Sequence, residues 1–387
     1  MRRSIDRILC SHAGSLPRPS DVRDLVLARE EGGRVEAATL NARLRGAIEE
    51  VVRQQVQCGI DVVNDGEFSK GNFTNYVRLR MAGVEQREVE TPTNRGITIY
   101  ARDAQEFPEY FERGAGRGRG FGALHSVCVG PLRYIGQEGV AADVANFKAA
   151  LMTAGADVSD AFLPSVAPGT IEHWLLNEHY PSQEAFLTAI AEAMREEYRA
   201  IVEGGFILQI DDPDLPDAWQ MHPEMDVATY RKFARLRVDA LNHALRDLPE
   251  DRVRFHTCWG SYHGPHKYDI ALCEIVDLIL AVRAQCYSIE GSNPRHEHEW
   301  RVWESVKLPE GKILMPGVVG HCSDFIEHPE LVAERLVRLA KVVGRENLIA
   351  GTDCGLGHRV GDPKICWAKF EAMAQGARLA SRQLWNQ

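Results

Sequence analysis

No apolar run in the 387-residue chain reaches the roughly 18–20 residues that a membrane span requires. An excess of positive charge is also missing. Forty-five Lys and Arg against 55 Asp and Glu leave a formal net charge of −10. That balance argues against nucleic acid or an anionic membrane as a partner. No repeat of about 20–50 residues is visible, which excludes a solenoid. The start, Met1-Arg-Arg-Ser-Ile-Asp6, is basic, but no apolar stretch long enough for a signal peptide follows it. The nine cysteines are odd in number and scattered. A disulfide scaffold is therefore not expected, and reduced thiols of a cytoplasmic protein, some of them on a metal, fit better. Apolar residues at 44% and charged residues at 26% are ordinary for a globular chain.

What is present is a repeated alternation. Short apolar, β-branched runs end in polar or Gly-Pro clusters, and amphipathic segments follow. Strands are expected at Ile8–Ser15, Ile60–Phe68, Val127–Tyr134, Ala161–Val166, Phe206–Pro213, Val253–Cys258, Ala284–Glu290, Ile313–Val319 and Leu348–Cys354. Helical faces are expected from Phe186, Ile190, Ala193, Met194, Ile201 and Val202, and from Leu331, Leu336, Leu339 and Val343. Pro329 and Gly344 bracket the second helix. Strands alternating with helices predict a parallel sheet. About eight such units predict an α/β fold of the (β/α)8 TIM-barrel kind, with a doubly wound sheet as the alternative. One of the nine strands is then accessory. Residues 80–123 break the rhythm and end in a Gly/Arg run from Arg113 to Gly122. They predict a hairpin or lid inserted into a single barrel spanning 1–387, with Arg117 or Arg119 available to an anion.

The unusual polar residues fall at the C-terminal ends of the expected strands, which in a parallel barrel share one rim. They are His12, Gly14 and Ser15; Asp65 and Glu67; Asp211 and Asp212; His256 and Cys258; Glu290; His321 and Cys322; and Asp353 and Cys354. His256-x-Cys258 puts two ligand-type side chains on one side of a strand, because the strand period is two. Alone, the pair is as well explained by a core Cys and a satisfied His. With Glu290 and Cys354 on the same rim, it completes a tetrahedral zinc set. Three anionic ligands make an electron-rich zinc, better suited to keeping a thiol ionised than to activating water. The rim carboxylates have two readings: caps and loop braces, or a clasp for a substrate ammonium group.

Five motifs carry a family likeness: Asn64-Asp-Gly-Glu-Phe68, Gln209-Ile-Asp-Asp-Pro213, His256-Thr-Cys258, Ser288-Ile-Glu290 and Thr352-Asp-Cys-Gly355. In this order, the chain resembles the C-terminal catalytic barrel of cobalamin-independent methionine synthase over nearly its whole length. It is most like short single-barrel members related to epoxyalkane:coenzyme M transferase. The resemblance implies a barrel of the methionine synthase/uroporphyrinogen decarboxylase type. It implies Zn2+ on His256, Cys258, Glu290 and Cys354, and contacts to an amino-acid thiol from Gly14, Ser15, Glu67 and Asp211. It implies methyl or alkyl transfer from a small-molecule donor to a thiol; homocysteine and coenzyme M are the two thiols considered. A non-catalytic barrel that binds zinc or a thiol is the third reading. Self-association is left open.

Three departures bear on the donor. A chain of 387 residues leaves no room for the second, N-terminal barrel of the full-length synthase. Val127 stands where the family has an Arg of its folate region. Cys322 stands where the family has its proton-donating His, and His321 comes one place earlier. One residue along a strand reverses the side chain, so His321 serves as the acid only if the strand has already ended. Arg295 is a candidate for an anionic substrate group. His263, His266, His296 and His298 are expected to be solvated surface residues, with rim substrate contacts or a second metal site as the alternative.

Overall fold

The computed structural model describes residues 1–72, 75–88, 100–113, 124–156, 160–357 and 359–386. Arg117 and Arg119 lie outside them. Seven parallel strands form the main sheet: β1 (Leu9–Cys10), β4 (Phe162–Val166), β6 (Ile207–Asp211), β7 (Val253–Thr257), β8 (Cys286–Ile289), β9 (Ile313–Val319) and β10 (Ile349–Thr352). Their order is β1-β10-β9-β8-β7-β6-β4. Residues 61–63 fill the gap between the two edges. Asp61 N and Val62 N donate to Cys10 O, and Phe162 N donates to Val63 O at 3.0 Å. Seven strands and one irregular stave thus close the expected barrel.

That stave corrects the expected strand Ile60–Phe68, and the reason is local. Gln55, buried on α2 (Ala37–Gln57), takes Asn64 N through Oε1 at 2.9 Å and donates to Asn64 O at 2.8 Å. These are the groups a ladder would use. Gly66 and Glu67 then adopt φ of 71° and 60°, which no strand allows.

The accessory strand is the expected Val127–Tyr134. It lies in β3 (Leu124–Tyr134), in a separate three-stranded sheet with β2 (Met81–Glu88) and β5 (Leu175–Asn177), neither of which was expected. β2 and β3 pair antiparallel, with a bulge at Gly83. Between them lie the short helices α3 (Ala101–Glu106) and α4 (Pro108–Glu112).

Inside the barrel, side chains stack in layers. Leu9, Cys286, Ile313, Met315 and Ile349 pack as one apolar group, and Val62, Phe162 and Ile207 as another. Arg254 lies over the Phe162 ring at 3.7 Å. Its guanidinium donates to Gln209 Oε1 at 2.7 Å, Ser11 Oγ at 2.9 Å and His12 O at 3.0 Å. Above this polar layer come His256 and Cys258, each two residues further along.

The helices α7 (Gln183–Glu203) and α12 (Pro329–Val343) cover the barrel. Ser182 caps α7 by accepting from Ala185 N, and Phe186, Ile190, Ala193, Met194 and Ile201 are buried as expected. In α12, Val332 rather than Leu331 opens the buried face; Leu331 is 38% exposed. α12 packs on α13 (Pro363–Trp385), where Gly376 lets the two backbones approach. A Cβ there would lie 2.5 Å from Val332 Cβ and 2.7 Å from Pro329 O. Gly376→Ala is therefore expected to destabilise the chain by about 1–3 kcal/mol in denaturant titration. No described helix is long and apolar enough to cross a membrane.

Candidate metal centre

His256 is the penultimate residue of β7, and Cys258 lies just past its end, so both project from the rim. Thr257 points the other way and donates to Asp212 O at 2.8 Å. His256 Nδ1 faces Ser288 Oγ at 3.0 Å, its in-register neighbour on β8. Its other nitrogen, Nε2, is buried without a hydrogen-bond partner. Cys354 follows β10 and brings its Sγ to 3.7 Å from Cys258 Sγ. Two thiolates at Zn–S distances of about 2.3 Å and a tetrahedral angle stand about 3.8 Å apart. His256, Cys258 and Cys354 offer ligand atoms that all lie within 4.8 Å of one another. The donor set and spacing fit zinc.

Glu290, the fourth expected ligand, sits in an adjoining buried group with His321 and Asp353. Its Oε2 accepts from Trp259 N at 2.8 Å and its Oε1 from Asn293 Nδ2 at 3.0 Å. Asp353 joins the two ligand loops. It accepts from Gly291 N and Ser292 N at 2.8 Å each and from Ser292 Oγ at 2.6 Å. β9 ends at Val319, so His321 lies in the loop beyond the strand. Its Nε2 faces Cys322 Sγ at 3.2 Å, and its Nδ1 is buried without a partner.

The two facing thiols have unequal acidities. The hydrogen bond from Cys258 holds the Cys354 thiol well below the usual range against its burial, helped by His256 and His321. The same bond, with burial, pushes Cys258 up. Burial lowers the pKa of His321, but the neighbouring Cys322, Cys354 and Glu290 outweigh it and raise His321 overall. Its imidazole therefore keeps a proton at neutral pH.

A second feature faces the same rim. Gly14, at φ 133°, lies against the Glu67 carboxylate, where any Cβ would collide. Glu67 is itself left-handed and is steadied by its N–H donating to Asp65 Oδ1 at 2.9 Å. Gln209 Nε2 donates to Asp211 Oδ1 at 2.7 Å. Burial pushes Glu67 up to about 7 against the pull of Lys70. Burial and the Glu67 charge push Asp211 well above the carboxylate range. Among the described residues neither makes an ion pair. Ser15 O accepts from Leu356 N and Gly357 N, both at 2.9 Å, which ties the Gly14–Ser15 turn to the Cys354 loop.

Some expectations land elsewhere. Arg295 is exposed and donates to Lys267 O at 2.7 Å. His263 and His298 are exposed, but His266 and His296 are buried, which corrects the solvated reading for those two. Ser288 and Asp353 were not singled out for any contact. The alternation of β8 did place Ser288 on the inward side, beside His256.

The profile of the cobalamin-independent synthase catalytic domain matches residues 9–96 and 165–378. The chain belongs to this family. The unmatched stretch holds α3, α4, β3 and the helix after β3. Methionine synthase from Thermococcus kodakarensis is 24% identical over 375 residues, covering 96% of this chain and 93% of that protein. Methionine synthase from Pyrococcus furiosus is 23% identical over 372 residues, covering 96% and 92%. The structure of a B12-independent methionine synthase from Shewanella sp. W3-18-1 in complex with selenomethionine superposes with a TM-score of 0.71 at 20% identity, covering 98% of this chain and all of that one. A putative B12-independent methionine synthase from Listeria monocytogenes gives 0.65 at 17% identity. These likenesses confirm the barrel fold. As a member of the cobalamin-independent synthase family, the chain is a transferase of the methyl-transferring kind, and the non-catalytic reading falls away.

Proposed function

We propose that the chain transfers a methyl group to the sulfur of homocysteine, giving methionine, with a zinc ion held by His256, Cys258, Glu290 and Cys354. The observation that carries this reading is the buried, unpartnered His256 Nε2 beside two sulfurs 3.7 Å apart. Zinc, when bound there, supplies the positive charge that ionises an incoming thiol at neutral pH. Glu67 and Asp211 are two buried carboxylates with no ion-pair partner among the described residues, and they hold the α-ammonium of the amino acid. Gly14 and Ser15 allow its backbone atoms close approach. The sulfur then attacks the methyl carbon in line with the leaving group. A C–S bond forms, the bond to the donor breaks, and His321 gives a proton to the departing atom. Glu67, Asp211, His256, Cys258, Glu290 and His321 are all buried, which limits competing water.

The test is methionine formation from homocysteine by metal-loaded protein offered a panel of methyl donors. The reading predicts turnover with one donor class. If bound homocysteine gives no methionine with any donor, the reading falls.

Ser288 fixes the His256 ring by engaging Nδ1. Ser288→Ala is expected to lower zinc affinity roughly 10–100-fold, as loss of such a partner does elsewhere. Chelator competition measures this, and the melting temperature should scarcely move.

A further inference from the structure

The loops after β7 and β8 carry a second convergence of ligand-type side chains. His266 Nδ1 lies 2.6 Å and His296 Nε2 3.0 Å from the same oxygen, Asp269 Oδ2. All three residues are buried, at 5%, 3% and 9% exposure. Each is also held from behind. His266 Nε2 faces Tyr262 O at 3.1 Å, and His296 Nδ1 faces Glu299 Oε2 at 2.8 Å. Asp269 Oδ1 accepts from Gln220 Nε2 at 2.8 Å, and Glu299 Oε1 from Leu272 N at 2.7 Å.

A hydrogen inventory makes this arrangement unusual. A carbonyl or an ionised carboxylate only accepts. Without an ion, all four ring nitrogens must then carry hydrogen. That puts two imidazolium rings side by side on one buried oxygen. A divalent ion in place of the two inner hydrogens keeps the net charge unchanged. It also leaves each imidazole donating its outer N–H to a carbonyl or carboxylate, the arrangement that orients metal-bound histidines. His266 is held at φ 52°, a costly conformation for a non-glycine residue, and one found where a ligand or clamp fixes the chain.

We propose that His266, Asp269 and His296 form a second metal site, separate from the sulfur site, for a divalent first-row transition ion that accepts two nitrogens and an oxygen. The site is a clamp. Trp259 stacks on His296 with ring centroids 4.0 Å apart, while its backbone N–H holds Glu290. Tyr262 donates to Asp103 Oδ2 at 2.7 Å, which draws α3 onto the same loop. An ion here fixes the loops flanking both Cys258 and Glu290 without touching substrate.

The test uses the full chain with Cys258→Ser and Cys354→Ser, loaded with Co2+, dialysed, and examined by metal analysis and absorption spectroscopy. The expected result is one Co2+ per chain, with no sulfur-to-cobalt charge-transfer band. Adding His296→Gln should take the count to zero, and wild type should hold two. A serine variant that binds no Co2+, or one whose Co2+ survives His296→Gln, overturns the proposal. If the serine variant does not fold, as judged by circular dichroism, His296→Gln alone decides. Its count should halve with the charge-transfer band kept, and an unchanged count overturns the proposal. A wild-type chain that saturates at one ion overturns it in every case, including that in which neither variant folds.

Discussion

Cys354→Ser is expected to remove the metal from the sulfur site and to slow methyl transfer by on the order of 10³-fold. Two losses combine. A free thiol of pKa about 8.5 is only about 3% ionised at pH 7, so losing the stabilising charge costs roughly 30-fold in reactive sulfur. Loss of the point that fixes the sulfur adds misplacement, for which about 10²-fold is typical. The fold should be untouched. Cys354 lies beyond β10, hydroxyl replaces thiol at similar size, and the surrounding backbone is held by Asp353 and Ser15. Metal analysis, circular dichroism and single-turnover methionine formation separate these effects. A serine variant that retains a full complement of zinc, or turns over within a few-fold of wild type, would remove the metal centre from the proposed mechanism.

The sequence exposed the barrel and the rim at which its strand ends gather, but not every stave. Strand-end positions were legible because a parallel barrel must gather them at one rim, and a two-residue period sends His256 and Cys258 the same way. The second stave was not legible. Ile60–Val63 has strand composition, but the competitor for its ladder is Gln55, a side chain from the preceding helix, and no pattern of hydrophobicity encodes that contact. Val127–Tyr134 reads as a strand and is one; which sheet it joins depends on β2, whose Met81–Glu88 run is too polar to stand out. Leu331 and Val332 differ by one helical position, about 100° around the axis, and apolarity alone does not choose between them. The buried pair His266 and His296 was hidden for a similar reason. Each histidine looks solvated until Asp269, Glu299 and Trp259 fold against it.

Asp211→Asn is expected to weaken binding of methionine by about 2 kcal/mol, roughly 30-fold, through loss of one charge-assisted bond to the ammonium group. Methionine suits the measurement because it has the amino-acid end of the substrate and no ionisable thiol. A thiol without an amino group should be spared by the same substitution, so the pair of ligands distinguishes a clasp for ammonium from a brace for the loop. Acidity provides an independent readout. Burial raises Glu67 to about 7, and burial together with the Glu67 charge raises Asp211 well above the carboxylate range. A carboxyl raised on folding stabilises the free protein below its ordinary pKa, and that contribution is lost as pH rises through the folded value. A bound ammonium favours the ionised pair and reverses the loss. Methionine should therefore bind more tightly, and raise the melting temperature more, as pH climbs through about 7, where Glu67 ionises. The asparagine variant should keep the rise near 7, which belongs to Glu67, and lose whatever part of the rise belongs to Asp211. Calorimetric titration between about pH 6 and 9 compares the rise in the two proteins. A flat profile in wild type, or an unchanged affinity in the variant, would mean that the two carboxylates serve the loops that carry them and not the substrate.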